Sequence, residues 1–398
     1  MDVPAGALYA WCPRVRGLVA CLRWWWYKSA LMKSKTLLST VVSIVALLSA
    51  IQSPAQEGKI RVAVVGLNHD HVWGLLGDLA SDPQSDFVGI AESNPDLITK
   101  AKAQVPGSVK FYSDYVRMLD EAKPQAVIIT TENDKHLEIV RECAKRHINV
   151  SMEKPMATSA RDAREMQRLA DDAGIKLMVN YWNAWVASSH ALFHRVKAGD
   201  IGPVQRIVVQ YGHEGPKEIG VSQQFADWLY DPAKNGGGAL MDFGCYGAEW
   251  ALWLKGRPTR VYATARTLKT DQHNRVEDDA TIVLDYPDAT VVVEPSWDWP
   301  YGMDRVYVFG AKGSLLATRD DFFSRPQSVE KPATLDGDRV AIDPLPHETS
   351  NPVAYFLGRI RTNQPIEDPL TAKLNVQVME ILDAARESVR TGRAVELH

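Results

Sequence analysis

RVAVVGLNHDHVWG, residues 61–74, opens as a nucleotide-binding fold opens and then departs from it. A β-branched apolar run ends at Gly66 and a helical pattern begins near Val72, the strand-turn-helix order of a βαβ unit. A dinucleotide fingerprint there reads G-x-G-x-x-G; this chain reads Gly66, Leu67, Asn68, His69, Asp70, His71. The second glycine lets backbone approach a pyrophosphate and the third lets helix pack on strand, so side chains at Asn68 and His71 cost space. Asparagine still reaches left-handed backbone, and the helix N-terminus still offers N–H groups and its dipole to a phosphate. A dinucleotide is therefore expected above Gly66, shifted or held less tightly than by a full glycine loop. The rival reading makes His69, Asp70 and His71 metal ligands; no matching cluster of Cys, His and carboxylate recurs nearby in the chain, so no metal is assigned.

Working outward, residues 59–179 alternate short apolar strands (IRVAVVG, DFVGIAE, AVIITT, INVSME, KLMVN) with amphipathic helices such as DKHLEIVRECAKRH and SARDAREMQRLADDAG. That alternation predicts a doubly wound parallel sheet with helices on both faces. Ligands of such sheets bind beyond the carboxyl ends of the strands, which puts Gly66, Glu92, Thr131 and Glu153 to Pro155 on one rim. Glu92 ends the second strand, where a carboxylate accepts from the adenosine ribose hydroxyls and disfavours a 2′-phosphate; a solvated loop carboxylate is the competing reading. NAD is expected ahead of NADP. From residue 180 to 398 the texture changes to successive alternating strands, typical of an open, mainly antiparallel sheet, with a closing helix from about Thr371 to Thr391. The fold class is α/β, with two domains joined near residue 180.

Composition narrows the function. The chain has 398 residues, 45% hydrophobic and 24% charged, enough for a sizeable core. A net charge of −4 offers no basic field to nucleic acid, and no RNA- or DNA-reading motif is present. Residues 32–57 read as a secretory signal peptide, with two lysines, an apolar run from Leu37 to Ile51 and small residues suited to cleavage after Ala55. The run is shorter than the ~20 residues of a comfortable membrane span, so an exported, periplasmic chain is expected, with an uncleaved anchor as the alternative. Residues 1–31 match no targeting pattern and read as an extension upstream of a true start at Met32. Cys143 and Cys245 remain in the mature chain, without the spacing of a disulfide framework or a metal knuckle.

The most informative later segment is NGGGALMDFGCYGAEW, residues 235–250. Three glycines free the backbone to enter a helix tightly, and Asp242 and Tyr246 then lie four apart on one helical face with Glu249 another turn along. A carboxylate beside a phenol suits proton transfer from a substrate hydroxyl, provided a cation such as Lys154 lowers the phenol's pKa. The competing reading is a carboxylate stabilised by the helix dipole and a tyrosine buried between domains.

MEKPMATS at 152–159 resembles the Glu-Lys-Pro signature of the Gfo/Idh/MocA oxidoreductases. TTENDKH resembles the family's T-P-N-x-x-H block, GGGALMDFGCYGAE its G-G-G-x-x-x-D-x-G-x-H-x-x-D block, and SVRTGRAVEL its closing helix and tail. The resemblance covers roughly residues 59–398. It implies a Rossmann domain, a second α/β domain that mediates dimer or tetramer contacts, and NAD(P)-dependent chemistry on a hydroxyl of a sugar, cyclitol or glycoside. Cofactor contacts are implied for Gly66, Asn68, His69, His71, Glu92, Thr131, Asn133, His136, Glu153, Lys154 and Pro155. Lys154, Asp242 and Tyr246 are the implied catalytic set, with Tyr246 where the catalytic histidine usually stands, as in the glucose-fructose oxidoreductase branch. The usual arginine after the fifth strand is replaced by Trp182. Tyr181, Trp182, Trp185 and Trp228 form a candidate stacking wall for a sugar ring. Outside the cytoplasm no NAD pool recycles, so the coenzyme must stay bound and the hydride must return. A transfer between two carbohydrates satisfies this, as does a redox-neutral glycosidase cycle; a non-catalytic exported carbohydrate-binding protein is the third reading.

Overall fold

Strand β1, Ile60–Val65, forms where the sequence places β-branched residues on both faces, and all but Arg61 of its side chains are buried. Such two-sided burial is the mark of a central parallel strand, each valine contributing about 1.5–3 kcal/mol. The computed structural model describes residues 58–269, 275–328, 334 and 336–397. The expected signal peptide and the segment before it, with Cys12, Cys21 and Met32, lie outside the described residues.

Around β1 stand β2 (Ser85–Ala91), β3 (Lys110–Tyr112), β4 (Ala126–Ile129), β5 (Asn149–Glu153) and β6 (Leu177–Asn180), all parallel, in the order β3-β2-β1-β4-β5-β6. The order reverses between β1 and β4, and that switch point is where the carboxyl ends of two diverging halves leave a crevice. Gly66 follows β1 at φ +86°, and a Cβ there would meet Thr131 Cγ2 at 2.5 Å and the Thr130 carbonyl oxygen at 3.0 Å. Only glycine serves at this point, for backbone and for space. The expected helices form as His136–Lys145 and Ala160–Ala173, the second capped by Ser159.

The second sheet runs β14-β13-β12-β11-β7-β10-β9-β8-β15 among the described residues. Its strands are β7 (Val204–Gly212), β8 (Arg260–Arg266), β9 (Asp279–Tyr286), β10 (Ala289–Ser296), β11 (Met303–Gly310), β12 (Gly313–Thr318), β13 (Phe322–Pro326), β14 (Asp338–Arg339) and β15 (Val395–Glu396). Every pairing is antiparallel except β7 with β10. Those two strands therefore end side by side and deliver His213 and Trp297 to the same place. β9 alternates buried and half-buried residues along its whole length, the pattern of a sheet with one face on the core.

The closing helix, Ala372–Thr391, is capped by Thr371 and packs against β8 and the helix Ala160–Ala173. From it Arg386 donates to the carbonyls of Gly236 (2.7 Å) and Thr158 (2.9 Å), tying the glycine-rich segment to the chain that follows β5. One continuous apolar cluster runs from Ile60 to Ala385, beneath both sheets.

Candidate active site

The glycine-rich segment is fixed by a carboxylate that the sequence did not single out. Glu277 Oε1 accepts from Gly238 N (2.7 Å) and Leu240 N (3.2 Å), and its carbonyl accepts from Ala239 N (3.0 Å). A Cβ on Gly238 would lie 1.8 Å from that carbonyl oxygen, so the approach requires glycine. The result differs from the single helix expected. Ala239–Asp242 and Gly244–Lys255 are separate helices broken at Phe243. The break turns Asp242 toward β5 and Trp297, while Glu249 faces Asn183, whose amide donates to both carboxylate oxygens at 3.3 and 3.2 Å. Glu249 therefore does not join Asp242 and Tyr246.

Lys154 follows β5 and its peptide with Pro155 is cis. Its ammonium donates to the Asp242 carboxylate and, at 3.3 Å, to the Asp242 carbonyl; both residues are buried. Trp297 Nε1 donates to the other carboxylate oxygen at 3.1 Å. Burial pushes the Asp242 carboxyl up, but Lys154, His213 and the indole outweigh it and hold the acid below its usual range. Burial likewise pushes the Lys154 ammonium down, and Asp242 more than reverses it. The pair is ionised in the folded protein.

Tyr246 is buried against Tyr211 (ring centroids 5.0 Å apart, stacked) and edge-on to Tyr181 (5.3 Å), with Lys154 Nζ 5.1 Å from its ring centroid. The expectation that Lys154 lowers the phenol's pKa fails. Burial, then the neighbouring Cys245 and Asp242, push Tyr246 well above the ordinary tyrosine value. Tyr246 is therefore a protonated phenol, a donor at neutral pH. Lys154, Asp242, Tyr246, Trp182 and His213 line one cavity of about 820 Å³. His213 was not singled out from sequence; its signal is its place directly after β7.

The altered glycine loop keeps the donors a phosphate needs. Among the described residues, the N–H groups of Asn68, His69 and Asp70 have no hydrogen-bond partner, and they precede the helix Val72–Ser81. Three successive free N–H groups at a helix start fit a pyrophosphate. Glu92 accepts from Leu67 N, Ser93 N and Asn94 N, each at 2.8 Å, and so anchors the loop to the end of β2. Thr131 lies under Gly66.

Other predicted cofactor residues are held by the protein itself. Asn133 donates to Asn235 Oδ1 (2.7 Å), and His136 Nδ1 lies 3.1 Å from the Met156 carbonyl; both are buried. The aromatic wall divides. Trp182 lines the large cavity and, with Trp185, a neighbouring one of about 590 Å³. Tyr181 and Trp228 are in the core, and Trp228 Nε1 donates to the Asn68 carbonyl at 3.0 Å. Trp228 thus braces the loop.

Sequence distance also hid a cluster. His71 Nδ1 lies 2.9 Å from Glu153 Oε2, and His69 stands beside them with its ring 4.5 Å from that of His71. Along the chain no matching cluster accompanies His69, Asp70 and His71; in the fold the end of β5 brings Glu153 to the two histidines across β4.

Three histidines, His69 and His136 buried and His213 half-buried, are expected to weaken the fold in acid. Burial lowers the pKa of His69, His136 and His213, so the unfolded chain binds more protons once pH falls below their ordinary value of 6.5. Stability is expected to hold above pH 6.5 and fall below it, steepening toward about 1.4 kcal/mol per pH unit for each histidine. Asp242, whose folded pKa is depressed, adds its loss only as pH drops through the acid range below 3.8. Lys154, whose folded pKa is raised, keeps its contribution until pH rises past 10.5. Denaturant midpoints measured against pH check the profile; a flat midpoint between pH 7 and about 5 refutes the histidine assignment.

A family model described as "Oxidoreductase family, NAD-binding Rossmann fold" matches residues 60–181, and one described as "GFO/IDH/MocA C-terminal domain" matches residues 190–316. A D-xylose 1-dehydrogenase (NADP(+)) of Haloferax volcanii is 28% identical over 318 residues, covering 77% of this chain and 90% of that protein. A scyllo-inositol 2-dehydrogenase (NADP(+)) of Bacillus subtilis is 22% identical, covering 85% of this chain and 96% of that protein. The aldose-aldose oxidoreductase of Caulobacter crescentus superposes with a TM-score of 0.71 at 24% identity, over 85% of this chain and 100% of that one. With its parallel nucleotide-binding sheet, its open second sheet and the buried Lys154–Asp242 pair between them, this chain belongs to the Gfo/Idh/MocA family of NAD(P)-binding oxidoreductases.

Proposed function

We propose that this chain oxidises or reduces a secondary hydroxyl of a sugar or related polyol, using a nicotinamide dinucleotide that it retains. The observation that carries this is the ionised Lys154–Asp242 pair beside the protonated Tyr246, all three on the wall of one cavity beyond the carboxyl end of β5. When bound, the nicotinamide supplies hydride transfer at the carbon bearing the hydroxyl. Lys154, fixed by Asp242, presents a positive charge to the oxygen on which negative charge develops. Tyr246 supplies the proton as a carbonyl becomes a hydroxyl and recovers it in the reverse direction. Asp242 holds the ammonium in place and accepts from Trp297.

The substrate class follows from the rest of the wall. Trp182 offers an aromatic face, with the Arg319 guanidinium 4.5 Å from its ring centroid, and Asp304 pairs with Arg319 at 3.1 Å. Aromatic faces ringed by paired charges suit a neutral polyhydroxylated ring. The names of the relatives, xylose and inositol dehydrogenases, support the same class. The leader-like segment at 32–55 supports export, which in turn favours a retained coenzyme, and the family's habit of pairing through the open sheet favours a dimer or tetramer.

The purified chain, denatured and examined by mass spectrometry, is expected to release about one NAD or NADP per chain, and added aldoses are expected to change the nicotinamide absorbance. No released dinucleotide together with no binding on titration overturns the reading.

A further inference from the structure

We infer that His69, His71 and Glu153 form a binding site for a divalent transition-metal ion of borderline softness, of the zinc or cobalt type. One candidate ligand atom from each lies within 4.8 Å of the other two. The inference goes beyond the oxidoreductase reading and does not depend on it.

The donor set is the right kind. Two imidazoles and one carboxylate are the three protein ligands of an open zinc site, in which bonds of about 2.0–2.2 Å set the donors roughly 3.3 Å apart. His69 is buried, its ring packed on Phe225 at 4.4 Å, and is fixed in place. Glu153 is also fixed: its side chain is 2% exposed, and Asn180 Nδ2 donates to Oε1 at 2.7 Å, leaving Oε2 to face the histidines. An orienting amide of this kind is the outer support that metal-binding carboxylates carry. The third member is the adjustable one. The His71 side chain is 44% exposed and meets Glu153 Oε2 at 2.9 Å, so it is the member with room to adjust when an ion binds.

His71 and Glu153 both line the cavity of about 590 Å³, so the remaining coordination position faces open space and takes water or an oxygen ligand. The plain alternative, a hydrogen-bonded His71–Glu153 pair and nothing more, accounts for two of the three residues. His69, packed on Phe225 in the core, adds a third donor residue beside that pair, its ring 4.5 Å from that of His71 and its Nδ1 accepting from His71 N at 3.3 Å. One of the two altered glycine positions, His71, thus carries an imidazole beside that of His69 on one side of the crevice. Borderline nitrogen and oxygen donors favour zinc, cobalt, nickel or iron over magnesium or calcium.

The test is titration of the full chain, freed of metal by a chelator, with Co²⁺ followed by visible d–d absorption. A saturable band at one ion per chain, displaced by Zn²⁺, is expected. His71→Gly restores the residue that a glycine loop carries and keeps a residue tolerated before a helix; it is expected to weaken Co²⁺ binding at least about 100-fold. Glu153→Gln is expected to do the same, with circular dichroism confirming that both variants are folded. No saturable band in the wild-type chain, or a band of equal affinity in folded His71→Gly, overturns the site. Dinucleotide binding is read separately by nicotinamide fluorescence. A chain that binds Co²⁺ but no dinucleotide would sink the coenzyme reading and keep the metal site, and the converse would do the opposite.

Discussion

Lys154→Ala is expected to lower kcat on any sugar the chain turns over by about 10³-fold. The ammonium is the cation nearest the reacting oxygen in the proposed chemistry, and its loss removes both charge stabilisation and a hydrogen-bond donor. A second effect must be separated from the first. Removing one partner of a buried ion pair leaves the other uncompensated, which costs about 3–5 kcal/mol. Asp242 is buried and would then retain only the Trp297 indole and the more distant His213. Adding Asp242→Asn to Lys154→Ala removes the stranded charge, so stability should recover while turnover stays lost. Steady-state kinetics and denaturant midpoints on both variants distinguish these outcomes; a folded Lys154→Ala chain with wild-type turnover takes Lys154 out of the chemistry.

Tyr246→Phe should cost about 10²- to 10⁴-fold in kcat with KM little changed and almost no loss of stability. The ring does the packing, stacked on Tyr211 and edge-on to Tyr181, and phenylalanine keeps those contacts. Among the described residues the phenol oxygen makes no hydrogen bond, so its removal strands no partner. Tyr246→His, the residue more usual in the family, should restore part of the rate and introduce a pH dependence near neutrality, because an imidazole titrates there and this phenol does not. Equal kcat for Tyr246→Phe and the parent would show that the proton moves by another route.

Much of the fold was written locally. The βαβ rhythm of residues 60–180 is a matter of periodicity and caps, and β1, β2, β4, β5 and β6 stand close to where alternating apolar runs predict them. Lys110–Tyr112, only three residues long, carries too little pattern to be seen that way and exists because it pairs with β2. The helix at residues 235–250 was read as continuous because propensity and spacing allow it. The structure breaks it at Phe243, and the glycine backbone ahead of the first turn is held by Glu277, which is distant in sequence.

The same division runs through the site. Lys154, Asp242 and Tyr246 were legible because each sits in a short block whose residue types carry the chemistry. The state of each was not legible. Tyr246 was expected to be made acidic by Lys154, yet burial and the neighbouring Cys245 and Asp242 raise its pKa, while Lys154 is paired with Asp242; desolvation and pairing depend on what surrounds a group in three dimensions. Trp182 and Trp228 read alike in sequence, and only packing separates a cavity wall from a brace beneath the phosphate loop. Glu153 lies 82 residues from His71 along the chain, and the parallel sheet brings them together. Sequence alone determined the elements, the family blocks and the chemical types available, because these depend on local periodicity and residue identity. Only the tertiary structure decided which of those groups meet, which are charged and which face open space, because burial and long-range neighbours exist only once the sheets are packed.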